Sequence, residues 1–132
     1  MMKKFLMSIA TVAALIFSGQ SQAADEGVIV EIAPIELKEG VSEDLLILAS
    51  KTLEKEFLAK QDGYIKRELL KEKEGHYIDI VYWASKDAAN KALEVAMTSE
   101  ACGAYFSLMV AADHDNPGEG IKHLSLLKSY KK

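Results

Sequence analysis

Hydrophobic and polar positions divide most of the chain into short strands and amphipathic helices. A run of valines and isoleucines over residues 27–37 predicts a first strand, and Pro34 suggests an edge or a strand end there. Ser42 suits a helix N-cap. Apolar residues that recur every four positions from Leu45 to Phe57 predict a helix running to about residue 60, with one buried face.

The second half of the pattern completes a familiar order of elements. Residues 64–71 and 76–84 predict two strands joined through a turn at Gly75, which makes a hairpin. A second helix follows, with an inner face predicted to hold Leu93 and Met97 beside several alanines. Ser99 is placed to cap a further short helix, and residues 121–130 predict the last strand. The order predicts an α+β fold, the ferredoxin-like βαββαβ arrangement with an antiparallel sheet and helices on one face.

The third strand is apolar on both of its sides, which a sheet covered by helices on one face does not require. Alternation places one apolar set on one side and a second set, with Asp79 among it, on the other. The first set is Ile78, Ile80 and Tyr82, and the second is Tyr77, Val81 and Trp83. Since the sheet of a second copy would cover the remaining side, the sequence predicts a homodimer.

The first part of the chain has the pattern of a secretion signal rather than of a folded element. Lys3 and Lys4 precede an apolar run over residues 5–17, and Ser21 and Ala23 occupy small-x-small positions. The run is shorter than the roughly 20 residues that span a bilayer. We therefore expect a signal peptide at residues 1–23 and one domain at 24–132, periplasmic or secreted and free of the membrane after cleavage.

The net charge and the single cysteine limit which partners are expected. The 132-residue chain carries a net charge of −4, and loss of Lys3 and Lys4 with the signal makes the domain more acidic. Such a domain repels nucleic acid and anionic lipid headgroups, so neither is an expected partner. Cys102 is the only cysteine, so no internal disulfide forms. A small domain without disulfides gains from burial in a dimer.

From Gly63 to Met109 the chain resembles the antibiotic biosynthesis monooxygenase domain family, of the dimeric α+β barrel superfamily. The residues that carry the resemblance are Gly63-Tyr64-Ile65, the hairpin segments 67–70 and 77–81, Tyr82-Trp83-Ala84-Ser85, the run 88–92 and the break 99–102. The resemblance implies a dimer with facing sheets and a pocket between each sheet and its helices. Some members oxidise aromatic polyketides with molecular oxygen and no cofactor, so the resemblance implies that this chain needs no cofactor.

A haem-degrading branch of the family also resembles the chain at Trp83. Its other requirements are an Asn on the first strand and a His on the helical segment. The first strand here has no Asn, and residues 100–109 contain no His. Haem degradation is therefore not expected.

Four residues are candidates for chemistry on the sheet. Asp79 among apolar neighbours is a candidate base, but it is equally a candidate ion-pair partner of Arg67, itself a candidate substrate contact. The turn length that decides whether these two share a face is open. Trp83 either lines an aromatic pocket or packs in the core. His123 on the last strand is either a second candidate base or a core or rim histidine.

The short helix and the loop after it supply the remaining candidates. Tyr105 and Met109 face either the pocket, as substrate contacts, or the core. Cys102 near the helix start is a redox candidate if its thiol ionises, and otherwise a small buried hydrophobe. Asp113, His114 and Asp115 do not define a coordination shell, so no metal site is expected.

Two functions remain open from the sequence. The first is a cofactor-independent monooxygenase that acts on a small aromatic molecule. The second is a non-catalytic or stress-related dimer that binds a small hydrophobic ligand in the same pocket. Shared fold alone cannot separate them.

Overall fold

The computed structural model describes residues 27–111 and 120–132. Its elements follow the predicted order, with a 3₁₀ turn after the first helix as the one addition. They are β1 (Ile29–Glu36), α1 (Glu43–Glu56), a 3₁₀ turn (Leu58–Lys60), β2 (Tyr64–Lys73), β3 (His76–Trp83), α2 (Lys86–Ala96), α3 (Glu100–Phe106) and β4 (Lys122–Ser125). The predicted ferredoxin-like α+β fold is confirmed.

The strands form one antiparallel sheet in the order β2-β3-β1-β4, so that β1 and β3 are central. Pro34 lies within a central strand, yet β4 pairs only with the first half of β1, from Ile29 to Ile32. The missing amide of the proline therefore removes no bond to β4. β1 is a central strand over Ile29–Ile32, and at Pro34 only β3 pairs with it.

Each of the three α-helices begins after a serine that caps it, among them the predicted caps Ser42 and Ser99. The hydroxyl oxygens of Ser42, Ser85 and Ser99 each accept a hydrogen bond from the amide three residues later. Each bond satisfies one of the amides that the first turn of a helix leaves without a partner. The caps fix where the helices begin; α3 packs against α1 and brings Tyr105 to Asp79 of the sheet.

The buried faces of the helices differ in detail from the prediction. Leu45 is 43% exposed, whereas its neighbour Leu46 is fully buried. A strict four-residue repeat drifts by about 40° per step around a helix of 3.6 residues per turn, so Leu45 leaves the face that Leu53 occupies. Leu93 and Met97 are also exposed rather than inside, because the buried stripe of α2 consists of alanines that bring the helix close to the sheet.

Two predicted boundaries are wrong. The first helix does not continue to residue 60: α1 ends at Glu56 and the chain tightens into the separate turn Leu58–Lys60. The last strand covers only Lys122–Ser125 instead of residues 121–130. Beyond it Leu127 and Tyr130 are almost fully exposed, since none of the described strands pairs with them.

The sheet has two different faces. On the side of the helices, Tyr77, Val81 and Trp83 are buried. The opposite side, here called the open face, carries apolar side chains of both central strands that are only half-buried. They are Val30, Ile32, Ile78, Ile80 and Tyr82. The alternation predicted for the third strand is therefore present, and what covers the open face remains a prediction.

Some predictions fall on residues that are not described. The proposed signal peptide at residues 1–23 and the Asp113–Asp115 cluster both lie outside residues 27–111 and 120–132. Within those ranges no helix is long and apolar enough to cross a membrane. The same ranges hold no group of three or more His, Cys, Asp or Glu side chains arranged to bind a metal ion.

Candidate functional site

A cavity of about 80 Å³ lies between the sheet and the helices. Its floor is the inner side of β2, β3 and β1, where Arg67, Asp79 and Trp83 reach it. Leu93 of α2 and Phe106 of α3 also line it, and both are at least two-fifths exposed. These two side chains therefore form a rim through which the cavity meets solvent.

At one end of the cavity a buried arginine, carboxylate and tyrosine form a closed triangle of hydrogen bonds. Arg67 Nε donates to Asp79 Oδ1 at 2.9 Å, and Nη2 donates to Oδ2 at 3.3 Å. Arg67 Nη2 also donates to Tyr105 Oη at 2.9 Å, and this hydroxyl donates to Asp79 Oδ2 at 2.7 Å. The main-chain oxygen of Ser50 accepts from Arg67 Nη1 at 3.3 Å.

An irregularity in β2 brings the two charges to one side of the sheet. The register shifts between Tyr64 and Lys66, after which Arg67 lies opposite Val81 and diagonal to Asp79. An extra residue on one strand reverses the alternation beyond it. Arg67 therefore points toward the helices, which resolves the question of a shared face in favour of the ion pair.

The triangle limits what its members can do chemically. Burial by itself lowers the pKa of Arg67, but the oxygens of Asp79 and Tyr105 outweigh it and the pKa is raised overall. Burial, and then the charge of Asp79, raise the pKa of Tyr105 above its ordinary value. Three of the roughly four lone-pair sites of Asp79 already accept hydrogen bonds, and protonation of Asp79 would leave the buried Arg67 without its counter-charge. Asp79 is better placed to hold Arg67 and Tyr105 than to act as a base.

Trp83 presents a polar atom that the described part of the chain leaves without a partner. The side chain is 2% exposed, and the Tyr64 ring packs edge-on against it with centroids 5.8 Å apart. Its Nε1 is buried and has no hydrogen-bond partner among the described residues. A buried donor without a partner costs free energy, which a bound acceptor would recover.

The opposite side of the cavity holds a second polar pair that the sequence analysis identified only in part. His123 Nε2 lies 3.0 Å from Glu31 Oε1, and both side chains are about four-fifths buried. The two residues are direct cross-strand partners on β4 and β1. Glu31 lines the cavity, whereas His123 contacts it through Glu31. Glu31 could have been identified from the sequence, because it is a carboxylate within a strand of valines and isoleucines.

The two remaining predicted residues have different places. Cys102 lines the cavity but is 1% exposed, and burial raises the pKa of its thiol even though the Ser99 hydroxyl lowers it in part. The favoured state is therefore the neutral thiol. Met109 does not line the cavity; it forms an isolated antiparallel bridge with Leu37.

The sheet order and the cavity beneath the helices define a ferredoxin-like α+β domain with an internal site. Solved structures of antibiotic biosynthesis monooxygenase proteins share this fold. SnoaB, a cofactor-independent oxygenase from Streptomyces nogalater, superposes with a TM-score of 0.57 at 16% identity, over 80% of this chain and 96% of that one. The resemblance predicted from residues 63–109 is thus confirmed at the level of the fold.

Two bacterial proteins provisionally named antibiotic biosynthesis monooxygenases agree. That of Caulobacter crescentus matches with a TM-score of 0.57 at 16% identity, over 83% of this chain and 99% of that one. That of Bordetella bronchiseptica matches with a TM-score of 0.53 at 18% identity, over 79% and 99%. No family model matches the chain. No curated protein matches it either.

Proposed function

We propose that this protein is an exported domain that binds a small aromatic molecule in the cavity between its sheet and helices. The observation that carries the proposal is the buried Trp83 Nε1, a donor without a protein partner among the described residues, on a side chain that lines a largely apolar cavity. Apolar sites with a few placed polar groups are typical of small-molecule binding. The indole supplies both an aromatic surface and a donor.

The size of the cavity restricts the ligand. A dry cavity of about 150 Å³ holds benzene, and the volume here is about 80 Å³. The rim must therefore yield slightly, and the half-exposed Phe106 can rotate to do so. A single-ring molecule fits this constraint, whereas a fused polycyclic one requires displacement of α3.

Fluorescence tests the binding proposal, because Trp83 is the only tryptophan. Titration with phenol or toluene should change its emission saturably. Native mass spectrometry of protein purified from its own host should show a retained small molecule. No saturable response to either probe, with no retained mass, would contradict the proposal.

A second candidate function is cofactor-independent oxygenation, and the shared fold with a cofactor-independent oxygenase is the observation that favours it. In such a reaction an activated CH₂ group and O₂ give a carbonyl group and water, with the electrons supplied by the substrate. Oxygen uptake with anthrone, which carries such a CH₂ group, measures it. Turnover that a Trp83→Phe, Asp79→Asn double variant reproduces would exclude catalysis at this cavity.

The partner proposed for the open face is a second copy of the chain. Its half-buried apolar residues on β1 and β3 are continuous across the two central strands, and Leu124 of β4 extends them. Light scattering of the mature protein should give a dimer mass. Ile80→Lys on the open face should dissociate it, whereas Leu48→Lys on an exposed helix position should not. A monomeric wild type at micromolar concentration would contradict the proposal.

Export is proposed on the N-terminal pattern alone. When the full chain is produced in a bacterial host, the mature protein should begin at Ala24. Intact mass and N-terminal sequencing measure this. Full-length protein retained in the cytoplasm would exclude the signal.

A further inference from the structure

We propose that Glu31 accepts a hydrogen bond from the hydroxyl group of a phenol-type ligand, and that His123 positions it. This inference rests on the proposed binding function and names the class of molecule that the cavity takes. Glu31 is then a ligand-binding residue, and His123 acts through it. The ligand would be a hydroxylated single-ring aromatic rather than a plain hydrocarbon.

The sheet register places the two polar groups of the cavity at a distance that suits one aromatic ring. Arg67, Val81, Glu31 and His123 lie side by side on four successive strands, in one row across the inner side of the sheet. Because neighbouring strands are about 4.8 Å apart, Arg67 and Glu31 are separated by about 10 Å at the main chain. The apolar Val81 lies between them, so a ring above it reaches Glu31 at its edge.

Glu31 has more unused acceptor capacity than Asp79. Asp79 receives three hydrogen bonds from Arg67 and Tyr105. Glu31 has one described partner, His123, on Oε1, so Oε2 has none among the described residues. An ionised carboxylate accepts on both oxygens. A hydroxyl in the cavity would meet this second oxygen without breaking an existing bond.

His123 fixes the direction of that acceptor. With Nε2 protonated, His123 donates to Glu31 Oε1 across the strand pair and holds the carboxylate against the sheet. A side chain restrained in this way loses less conformational entropy when it binds. Replacing His123 should therefore weaken phenol binding through Glu31 while leaving contacts with the ring unchanged.

The experiment compares phenol with toluene, which has nearly the same shape but no hydroxyl group. The dissociation constants of both are measured by calorimetry or Trp83 fluorescence for the wild type, Glu31→Gln and His123→Phe. A hydrogen bond to a charged group corresponds to about a 10-fold change in affinity or more. We expect both variants to weaken phenol binding by about this factor and to leave toluene binding within about twofold.

A matched control removes a carboxylate elsewhere. Glu68→Gln lies on the open face of the same sheet, and it should change neither dissociation constant. His123→Gln, which keeps an N–H donor, should recover part of the phenol affinity; a purely structural role for His123 would not produce this selectivity for one ligand.

The outcomes separate the two proposals. If the wild type binds neither probe, the proposed function fails. If it binds both, but the ratio of their affinities is the same in the wild type and in Glu31→Gln, the binding function stands and the role of Glu31 is overturned. Should Glu31→Gln not fold, Glu31→Leu and His123→Phe are used; an unchanged ratio in the variant that folds has the same meaning.

Discussion

The buried triangle of Arg67, Asp79 and Tyr105 makes a strong prediction about stability. The Arg67 side chain is 6% exposed and that of Asp79 is 9% exposed. In Asp79→Ala the guanidinium loses its two bonds to the carboxylate and retains Tyr105 and the Ser50 carbonyl oxygen, with Glu54 only at 3.9 Å. Leaving a buried charge without its partner costs about 3–5 kcal/mol.

The same geometry predicts smaller effects for two related variants. Tyr105→Phe leaves the ion pair in place and removes one hydroxyl, so we expect a loss of about 1–3 kcal/mol. Arg67→Met with Asp79→Leu removes both charges together, so no buried charge remains uncompensated. The double variant should therefore be destabilised by less than the sum of the two single ones, with a coupling of about 2 kcal/mol or more.

Urea denaturation measures these differences. Emission of Trp83 and circular dichroism should give coincident transitions, and the free energy of unfolding follows by linear extrapolation. Loss of 3–5 kcal/mol is a large part of the roughly 5–15 kcal/mol that typical domains have. If Asp79→Ala costs less than about 1 kcal/mol, or if the single effects simply add, the ion pair is not the buried, coupled unit described above.

Three further predictions concern single residues. Gly63→Ala should destabilise the fold more than Gly75→Ala in urea titrations, because both have positive φ but only at position 63 would the added Cβ meet the Ala88 Cβ, at 2.5 Å; equal losses would contradict the close approach. Cys102 should resist a thiol reagent in the native protein and react after unfolding, since it is buried and its thiol pKa is raised; rapid native labelling would refute this. Because the pKa of Tyr105 is raised in the folded state, the unfolded chain loses this proton first as pH rises past 10.0, so stability falls on the alkaline side. Tyr105→Phe should reduce that slope in melting temperatures measured between about pH 8 and 11, and an unchanged slope would argue against the burial of the hydroxyl.

The sequence predicts those features of the fold that depend on local chemistry. The three serine caps and the β-hairpin follow from short motifs. Which residues of a helix are buried is harder to predict from a four-residue repeat. Positions spaced by four move around the helix and, within two turns, no longer lie on the buried face, as the exposed Leu45 shows. The length of the last strand depends on a neighbour, β1, that offers it pairing only from Ile29 to Ile32.

The candidate site could be predicted only in part, because its pairs join distant segments. An ion pair of Arg67 and Asp79 was one of two interpretations, because whether they share a face depends on a strand register that shifts after Tyr64 and again after Lys71, and residue types do not reveal these shifts. The pairing of Glu31 with His123 requires the order of the strands. Polar residues on separate strands become a site only when the register is known.

The position of β1 at the centre of the sheet has a consequence for how the molecule folds. This strand is the first to be made, yet its partners are β3 and, near the far end of the chain, residues 122–125. Contacts between such distant segments form slowly, because the entropy cost of closing a long loop comes before the contacts can stabilise the chain. One edge of β1 therefore stays unpaired until almost the whole chain has been made. A chain that stops before β4 would keep a hydrophobic strand edge exposed, and such edges promote aggregation.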